Sequence, residues 1–259
     1  MIDLHTHLLP GVDDGSPSLA VSVPVLQRFS QGGVELVVCT PHLMASDAGR
    51  APHDQHVRLL DALRAAAPDG PALELGWEIM LDLPGADLRH SELGLGGSKA
   101  VLVEFPRMSI PPHAADELFR LRMSGVVPVL AHPERYRGCT VERVEEWRRA
   151  GAVIQMDGAA LLGSERMAAL AREMLARGCT DVIASDNHGD VRSLMAVREW
   201  LLAWGTAEHA ELLTRENARR LLADEAIRDV PPLVVKQGML AQLKAMVLGR
   251  SRSGRARRT

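Results

Sequence analysis

The chain opens with MIDLHTH, residues 1–7, a short apolar run that ends in two histidines separated by one residue. Side chains alternate between the two faces of an extended strand, so His5 and His7 point to the same face. Two imidazoles placed in this way can hold one metal ion. Histidines at a strand end are more often polar groups without a metal, so the interpretation depends on the residues at the ends of the other strands.

Short aliphatic runs recur along the chain, with segments of helical periodicity between them. Continuous apolar runs suit strands that are buried on both faces, as in a parallel sheet covered by helices. The predicted strands are Met1–His5, Val34–Cys39, Ala72–Gly76, Ala100–Glu104, Val126–Ala131, Ala152–Met156 and Asp181–Ser185. The predicted helices include His53–Ala67, Ala114–Ser124, Val141–Ala150, Glu165–Arg177 and Leu194–Trp204. Seven strand–helix units without an intervening linker predict one α/β domain over residues 1–248 with a barrel-like (β/α)7 fold, and an open doubly wound sheet is the alternative.

Histidines and carboxylates follow six of the seven predicted strands. Parallel β/α folds build their sites where the carboxyl ends of the strands converge. Burying so many of these groups without a metal would leave carboxylates uncompensated, at a cost of several kcal/mol each. The set predicts a multinuclear site, and its lack of thiolates favours Mn²⁺, Zn²⁺ or Fe²⁺ over a zinc finger. The histidines and carboxylates at or just after these strand ends are His5, His7, Asp13, Asp14, His42, Glu78, Glu104, His132, Glu134, Asp186 and His188.

Composition places the chain among ordinary globular proteins. Of its 259 residues, 46% are hydrophobic and 24% charged. No apolar run approaches the roughly 20 residues of a membrane span, and the N-terminus lacks the pattern of a secretory signal. Three cysteines are too few and too scattered for a disulfide scaffold. We therefore expect a cytoplasmic enzyme.

Charge is unevenly distributed. The net charge is −3, but residues 249–259 contain five arginines and no acidic residue. This segment is predicted to be a basic disordered tail, either simply solvated or attracted to an acidic partner or to anionic lipid headgroups. The remaining chain is acidic, which disfavours a nucleic-acid partner and a proofreading exonuclease, since such an enzyme needs a basic groove.

Six segments resemble motifs of the PHP (polymerase and histidinol phosphatase) superfamily, and within it the bacterial capsule and exopolysaccharide tyrosine phosphatases. They are MIDLHTHLLPGVDDG (1–15), CTPH (39–42), GWEI (76–79), VEFP (103–106), AHPERY (131–136) and SDNHG (185–189). The resemblance extends to about Asp224. It implies a distorted (β/α)7 barrel that holds three divalent ions, Mn²⁺ foremost.

The resemblance also implies how the ligands are shared. The first ion would be bound by His5, His7, Glu78 and Asp186, and the second by Glu78, Glu104 and His132. The third would be bound by Asp14, His42 and His188. Glu78 would bridge two ions, and the neighbouring Asp13 is an alternative to Asp14.

The implied activity is metal-dependent phosphomonoester hydrolysis, with phosphotyrosine on the tail of a bacterial tyrosine autokinase as the substrate. A metal-bridging hydroxide would attack phosphorus. Arg135 is the candidate phosphate clamp, because its planar fork can bind two oxygens. Arg192 is a second candidate, with a surface arginine at a helix start as the alternative.

The sequence also bears on other classes of phosphatase. A cysteine-dependent tyrosine phosphatase needs an arginine six positions after the cysteine, and Ala45, Glu145 and Ser185 stand there instead. A histidinol-phosphate phosphatase, or another small-molecule phosphoesterase of the same superfamily, shares the barrel and the metals and is the alternative function. Leu43, Trp77 and Met80 depart from the motifs of the tyrosine phosphatases, which leaves the choice of substrate open.

Overall fold

The computed structural model describes residues 1–164 and 166–233. All of the strands in this part of the chain pair in parallel. They are β1 (Ile2–Thr6), β2 (Leu36–Cys39), β3 (His42–Met44), β4 (Ala72–Leu75), β5 (Glu78–Met80), β6 (Ala100–Glu104), β7 (Val127–Ala131), β8 (Val153–Asp157) and β9 (Val182–Ala184). The predicted tail 249–259 and the end of the predicted domain lie outside the described residues.

Two of these strands were not predicted from the sequence. β3 and β5 continue β2 and β4 after two-residue breaks at Thr40-Pro41 and Gly76-Trp77. Proline has no N–H to donate to a sheet ladder, which accounts for the break before His42. The neighbouring strands stay in step across the breaks, since the Gly76 amide donates to the Cys39 carbonyl at 2.9 Å and the Glu78 amide to the Pro41 carbonyl at 3.1 Å. His42 and Glu78 are therefore direct partners in adjacent strands.

The strands divide into a three-stranded sheet, β1-β2-β4, and a six-stranded sheet, β3-β5-β6-β7-β8-β9. Backbone bonds also join the chain around β1 to the segment after β9: the His7 amide donates to the Asn187 carbonyl at 2.8 Å, and the Asp186 amide to the His5 carbonyl at 3.0 Å. The pairing establishes a parallel α/β arrangement, as predicted. Because the strands divide into two sheets, their pairing does not by itself establish a closed barrel.

Helices cover the sheets, and none of those described combines the length and apolar character needed to cross a bilayer. They are α1 (Leu19–Gln31), α2 (His53–Ala66), α3 (Ala114–Met123), α4 (Val141–Arg149), α5 (Gly158–Leu162), α6 (Arg166–Ala176), α7 (Leu194–Trp204), α8 (Ala207–Glu211) and α9 (Asn217–Leu222). The five predicted helices correspond to α2, α3, α4, α6 and α7. Every residue of β1, β6, β8 and β9 is buried, in keeping with apolar runs covered on both faces.

Candidate metal centre

All nine candidate ligands come together at the carboxyl ends of the strands. They form four overlapping groups, within each of which the ligand atoms lie within 4.8 Å of one another. The groups are His7, Asp14, His42 and His188; His5, Glu78 and His132; His5, His7 and Asp186; and His42, Glu78 and Glu104. Because the groups share members, they form one continuous cluster.

Glu78 lies at the centre of this cluster and is buried. Its Oε2 lies 3.3 Å from His5 Nε2, 3.2 Å from His7 Nε2 and 3.0 Å from His42 Nδ1. Its other oxygen, Oε1, lies 2.7 Å from His132 Nε2. The two oxygens thus face different histidines, as a carboxylate that bridges two ions must.

One side of the cluster is open to solvent. Asp14 Oδ1 lies 3.2 Å from His42 Nε2 and 3.5 Å from His188 Nε2. The side chain of Asp14 is 71% exposed and that of His42 is 36% exposed, whereas those of His5 and His7 are fully buried. A substrate would approach from the Asp14 side.

Two ligands adopt backbone conformations that non-glycine residues rarely adopt. His132 has φ 32° and Asp186 has φ 47°, both in the left-handed region. His132 directly follows β7, and Asp186 is the second residue after the end of β9. Strain of this kind persists where the surrounding structure enforces it and clusters at functional sites, so both positions support a functional role for this edge.

The electrostatics of the cluster fit bound cations. Glu104 Oε2 and Asp186 Oδ1 are buried and have no hydrogen-bond partner among the described residues. Burial and the nearby charge of Glu78 raise the pKa of Glu104 to about 7. Burial also acts to raise the pKa of Asp186, but His5 and other cationic neighbours outweigh it and lower that pKa. Unpartnered carboxylate oxygens among imidazoles are the donor set that Mn²⁺, Zn²⁺ or Fe²⁺ takes.

A second layer of side chains orients the histidines. Asp13 Oδ2 lies 2.7 Å from His7 Nδ1, and Gln155 Oε1 lies 3.0 Å from His5 Nδ1. With hydrogen on Nδ1 in each case, the opposite nitrogen is left free to bind a metal. Asp13 therefore supports His7, while Asp14 belongs to the exposed group. Gln155 was not predicted as a site residue. A polar amide between Ile154 and Met156 in a buried strand needs a hydrogen-bond partner, and this could have indicated its role.

We expect Asp13→Ala to lower the affinity for Mn²⁺ by about 10- to 100-fold, the range for loss of a group that orients a ligating histidine. His7 would lose the acceptor that fixes its ring. The measurement is a competition titration with a chelating dye. Asp69→Ala, at an exposed position outside the cluster, is the control, and equal affinities for the two variants would show that Asp13 has no such role.

Both candidate arginines lie beside Asp186. Arg135 Nη2 is 2.6 Å from Asp186 Oδ2, and Arg135 Nε donates to Asp157 Oδ2 at 3.1 Å. Arg192 Nη1 donates to Asp186 Oδ2 at 3.3 Å, and its Nε donates to Asp190 Oδ2 at 2.8 Å. Because carboxylates engage Nε and Nη2 of Arg135, Nη1 is the nitrogen that remains for a substrate oxygen.

Two carboxylates that hold Arg135 in place are not among the predicted site residues. Asp157 is buried at the end of β8, where its Oδ1 also accepts the Ala159 amide at the start of α5 at 2.8 Å. Glu134 is buried and accepts the Asp157 amide at 2.7 Å. Burial and the charge of Asp157 raise the pKa of Glu134 to about 8. The turn that carries Arg135 is thus fixed to β8 at two points.

Leu43, Trp77 and Met80, which depart from the tyrosine-phosphatase motifs, are buried or half-buried. Trp77 is fully buried, stacks on His56 with ring centres 4.7 Å apart, and donates Nε1–H to the Glu92 carbonyl at 2.9 Å. Leu43 is buried in the same core, and Met80 is half-buried. Trp77 and Leu43 therefore contribute to packing beneath the site.

The parallel strands and the shared cluster define an α/β protein with a candidate metal centre at its strand ends. Residues 1–223 match the family model described as capsular polysaccharide synthesis, CpsB/CapC. The chain belongs to this family, as the motifs predicted.

Two curated relatives and one solved structure are named as tyrosine phosphatases. The tyrosine-protein phosphatase YwqE of Bacillus subtilis is 28% identical over 264 residues, covering 93% of this chain and 98% of the relative. The tyrosine-protein phosphatase CpsB of Streptococcus pneumoniae is 28% identical over 244 residues, covering 88% and 100%. A chain from the crystal structures of YwqE and CpsB, described as unique metal-dependent tyrosine phosphatases, matches with a TM-score of 0.77 at 25% identity, covering 92% of this chain and 100% of the other.

Proposed function

We propose that the protein is a metal-dependent protein-tyrosine phosphatase that acts in capsule or exopolysaccharide synthesis. The observation that carries this proposal is the single cluster of nine histidine and carboxylate ligands, open on one side and flanked by two arginines. The names of the relatives support phosphotyrosine as the substrate, and none of the relatives compared above is named a histidinol-phosphate phosphatase.

We propose that the cluster binds three divalent ions, for which Mn²⁺ is the leading candidate and Zn²⁺ and Fe²⁺ are alternatives. Bound ions would supply Lewis acidity and an activated water, both of which promote phosphomonoester hydrolysis. The proposed ligands are His5, His7, Glu78 and Asp186 for the first ion, Glu78, Glu104 and His132 for the second, and Asp14, His42 and His188 for the third.

The chain's own cations would bind and orient the phosphoryl group. Arg135 presents Nη1 beside Asp186, held there by Asp157. Arg192 reaches the same carboxylate from the segment after β9. Two guanidinium groups that converge on one ligand would hold a dianionic phosphoryl group against the ions. Positioned donors of this kind stabilise the charge that is redistributed in the transition state.

A tyrosyl group suits this site as the leaving group. A phenolate is a weaker base than an alkoxide, so its departure depends less on a proton donor. The exposed Asp14 side can admit a tyrosine on a protein segment. We propose the tail of a tyrosine autokinase as the physiological substrate.

Because β3 and β5 continue β2 and β4, and backbone bonds link β1 to the segment after β9, the strands are compatible with one distorted (β/α)7 barrel. We propose that this domain covers residues 1–248, that the protein is cytoplasmic, and that residues 249–259 form a basic tail.

Substrate preference tests the proposed activity. With Mn²⁺ present, we expect kcat/KM for a phosphotyrosine peptide to exceed that for histidinol phosphate by at least about 100-fold, a difference of about 2.7 kcal/mol in barrier. Phosphate release from both substrates is measured with the same preparation, and p-nitrophenyl phosphate serves as a common reference. A preference for histidinol phosphate would replace the proposed function with the small-molecule alternative.

A further inference from the structure

A cavity of about 540 Å³ adjoins the metal centre on the side of Arg135. Arg135 and Asp157 form one wall of the cavity, and Arg107 also lines it. The segment from α5 to α6 provides small residues, among them Ala160 and Gly163. The space exceeds what a phosphoryl group needs, and it has the size of an ordinary ligand site.

The cavity is connected to the proposed reaction site through a single side chain. Arg135 lines the cavity and also lies 2.6 Å from Asp186, a proposed metal ligand. A phosphotyrosine bound at the metal centre would therefore place the residues beside it in the chain near this opening, since consecutive Cα atoms are only about 3.8 Å apart.

The charges around the cavity favour an anion. Asp157 and Asp186 both contact the Arg135 guanidinium, and Asp157 is the acidic residue among those that line the cavity. Arg107 is exposed and forms no salt bridge with the described carboxylates, although its charge acts on Glu104. Arg107 thus offers an exposed positive charge at an opening with small, mostly apolar walls.

We propose that this cavity is a subsite for an acidic residue next to the phosphotyrosine, and that Arg107 recognises its carboxylate. The inference rests on the proposed function and adds a substrate class to it: phosphotyrosine segments with aspartate or glutamate beside the tyrosine. Arg107 is a specificity residue in this scheme, because it lies outside the cluster that would bind the metals and the phosphoryl group.

The test compares two phosphotyrosine peptides that differ only in carrying aspartate or asparagine on both sides of the phosphotyrosine. The Mn²⁺-loaded full-length chain is expected to favour the aspartate peptide by about fivefold in kcat/KM, as for a well-formed pair at a partly exposed site. Arg107→Gln should abolish this preference, and Arg107→Glu should reverse it. The preference should also weaken at high salt, because screening acts on an exposed pair.

Arg137→Glu provides a matched control. Arg137 is exposed, its amide donates to the Arg107 carbonyl at 2.8 Å, and it does not line the cavity. Arg137→Glu changes the charge by the same amount as Arg107→Glu, at a nearby position. It should keep the wild-type preference for the aspartate peptide. An equal loss in Arg137→Glu would show a general field effect and overturn the subsite.

A second variant tests the cavity without changing charge. Ser164 lines the opening, and Ser164→Trp would fill part of it. The ratio of kcat/KM for the aspartate peptide to that for p-nitrophenyl phosphate should fall about tenfold, since only the peptide has flanking residues. Equal hydrolysis of both peptides by the wild type would overturn the subsite and leave the phosphatase activity standing. Failure to hydrolyse any phosphotyrosine substrate would instead overturn the proposed function.

Discussion

Glu78→Gln is expected to lower kcat for p-nitrophenyl phosphate by at least about 1000-fold, equivalent to about 4 kcal/mol in barrier, while the protein stays folded. Both oxygens of Glu78 face imidazoles, at 2.7 Å for His132 and 3.0 Å for His42. An amide nitrogen in place of one oxygen cannot ligate a cation and would point N–H groups at the bound ion. The isosteric change leaves the packing volume unchanged. Turnover at saturating substrate and the thermal midpoint are measured together.

The same substitution at an exposed glutamate provides the control. Glu208 lies on the surface in α8 and belongs to none of the groups of candidate metal ligands. Glu208→Gln should keep wild-type turnover. If Glu78→Gln retained more than about a tenth of kcat, a loss below about 1.4 kcal/mol, the bridging role would be wrong.

Arg135→Ala is expected to reduce kcat/KM by about 100-fold and to weaken inhibition by inorganic phosphate. The side chain of Arg135 is only 14% exposed and its Nη2 lies 2.6 Å from Asp186 Oδ2, so it would contact the phosphoryl group in a largely desolvated position. Metal content should stay unchanged, because a guanidinium does not ligate metals. Arg135→Lys should recover only part of the loss, since one ammonium group cannot contact Asp157, Asp186 and the substrate in the same way.

Arg137→Ala is the matched control for this prediction, because it removes an exposed arginine from the same segment. Its kinetics should match those of the wild type. Wild-type kinetics and phosphate inhibition in Arg135→Ala itself would mean that this arginine only pairs with Asp157 and Asp186.

Much of the site could be predicted because most of the ligands stand at or shortly after the end of a recognisable apolar run. His5, His132 and Asp186 stand at strand ends, and parallel strands bring such ends to one edge. The sequence also predicted seven of the nine described strands. β3 and β5 were missed because each has only three residues and lies just beyond a break, so neither has a periodicity of its own.

The supporting residues were harder to identify. Gln155 contacts His5 across 150 positions of sequence, and Asp157 contacts Arg135 across 22. A single sequence contains no record of such contacts, which arise only once the strands are assembled. The sequence could not distinguish Asp13 from Asp14 for the same reason. The two carboxylates are adjacent in the chain, but Asp13 contacts His7 and Asp14 contacts His42 in the structure.

The most direct test of the central claim is the metal content of the chain, measured together with its phosphotyrosine phosphatase activity. Protein stripped with a chelator is reloaded with increasing Mn²⁺, and bound metal and phosphate release from a phosphotyrosine peptide are determined on the same samples. We expect activity to be lost on stripping and to return as binding approaches three ions per chain. Fewer than one bound ion per chain after reloading, or full activity in the stripped protein, would contradict the account.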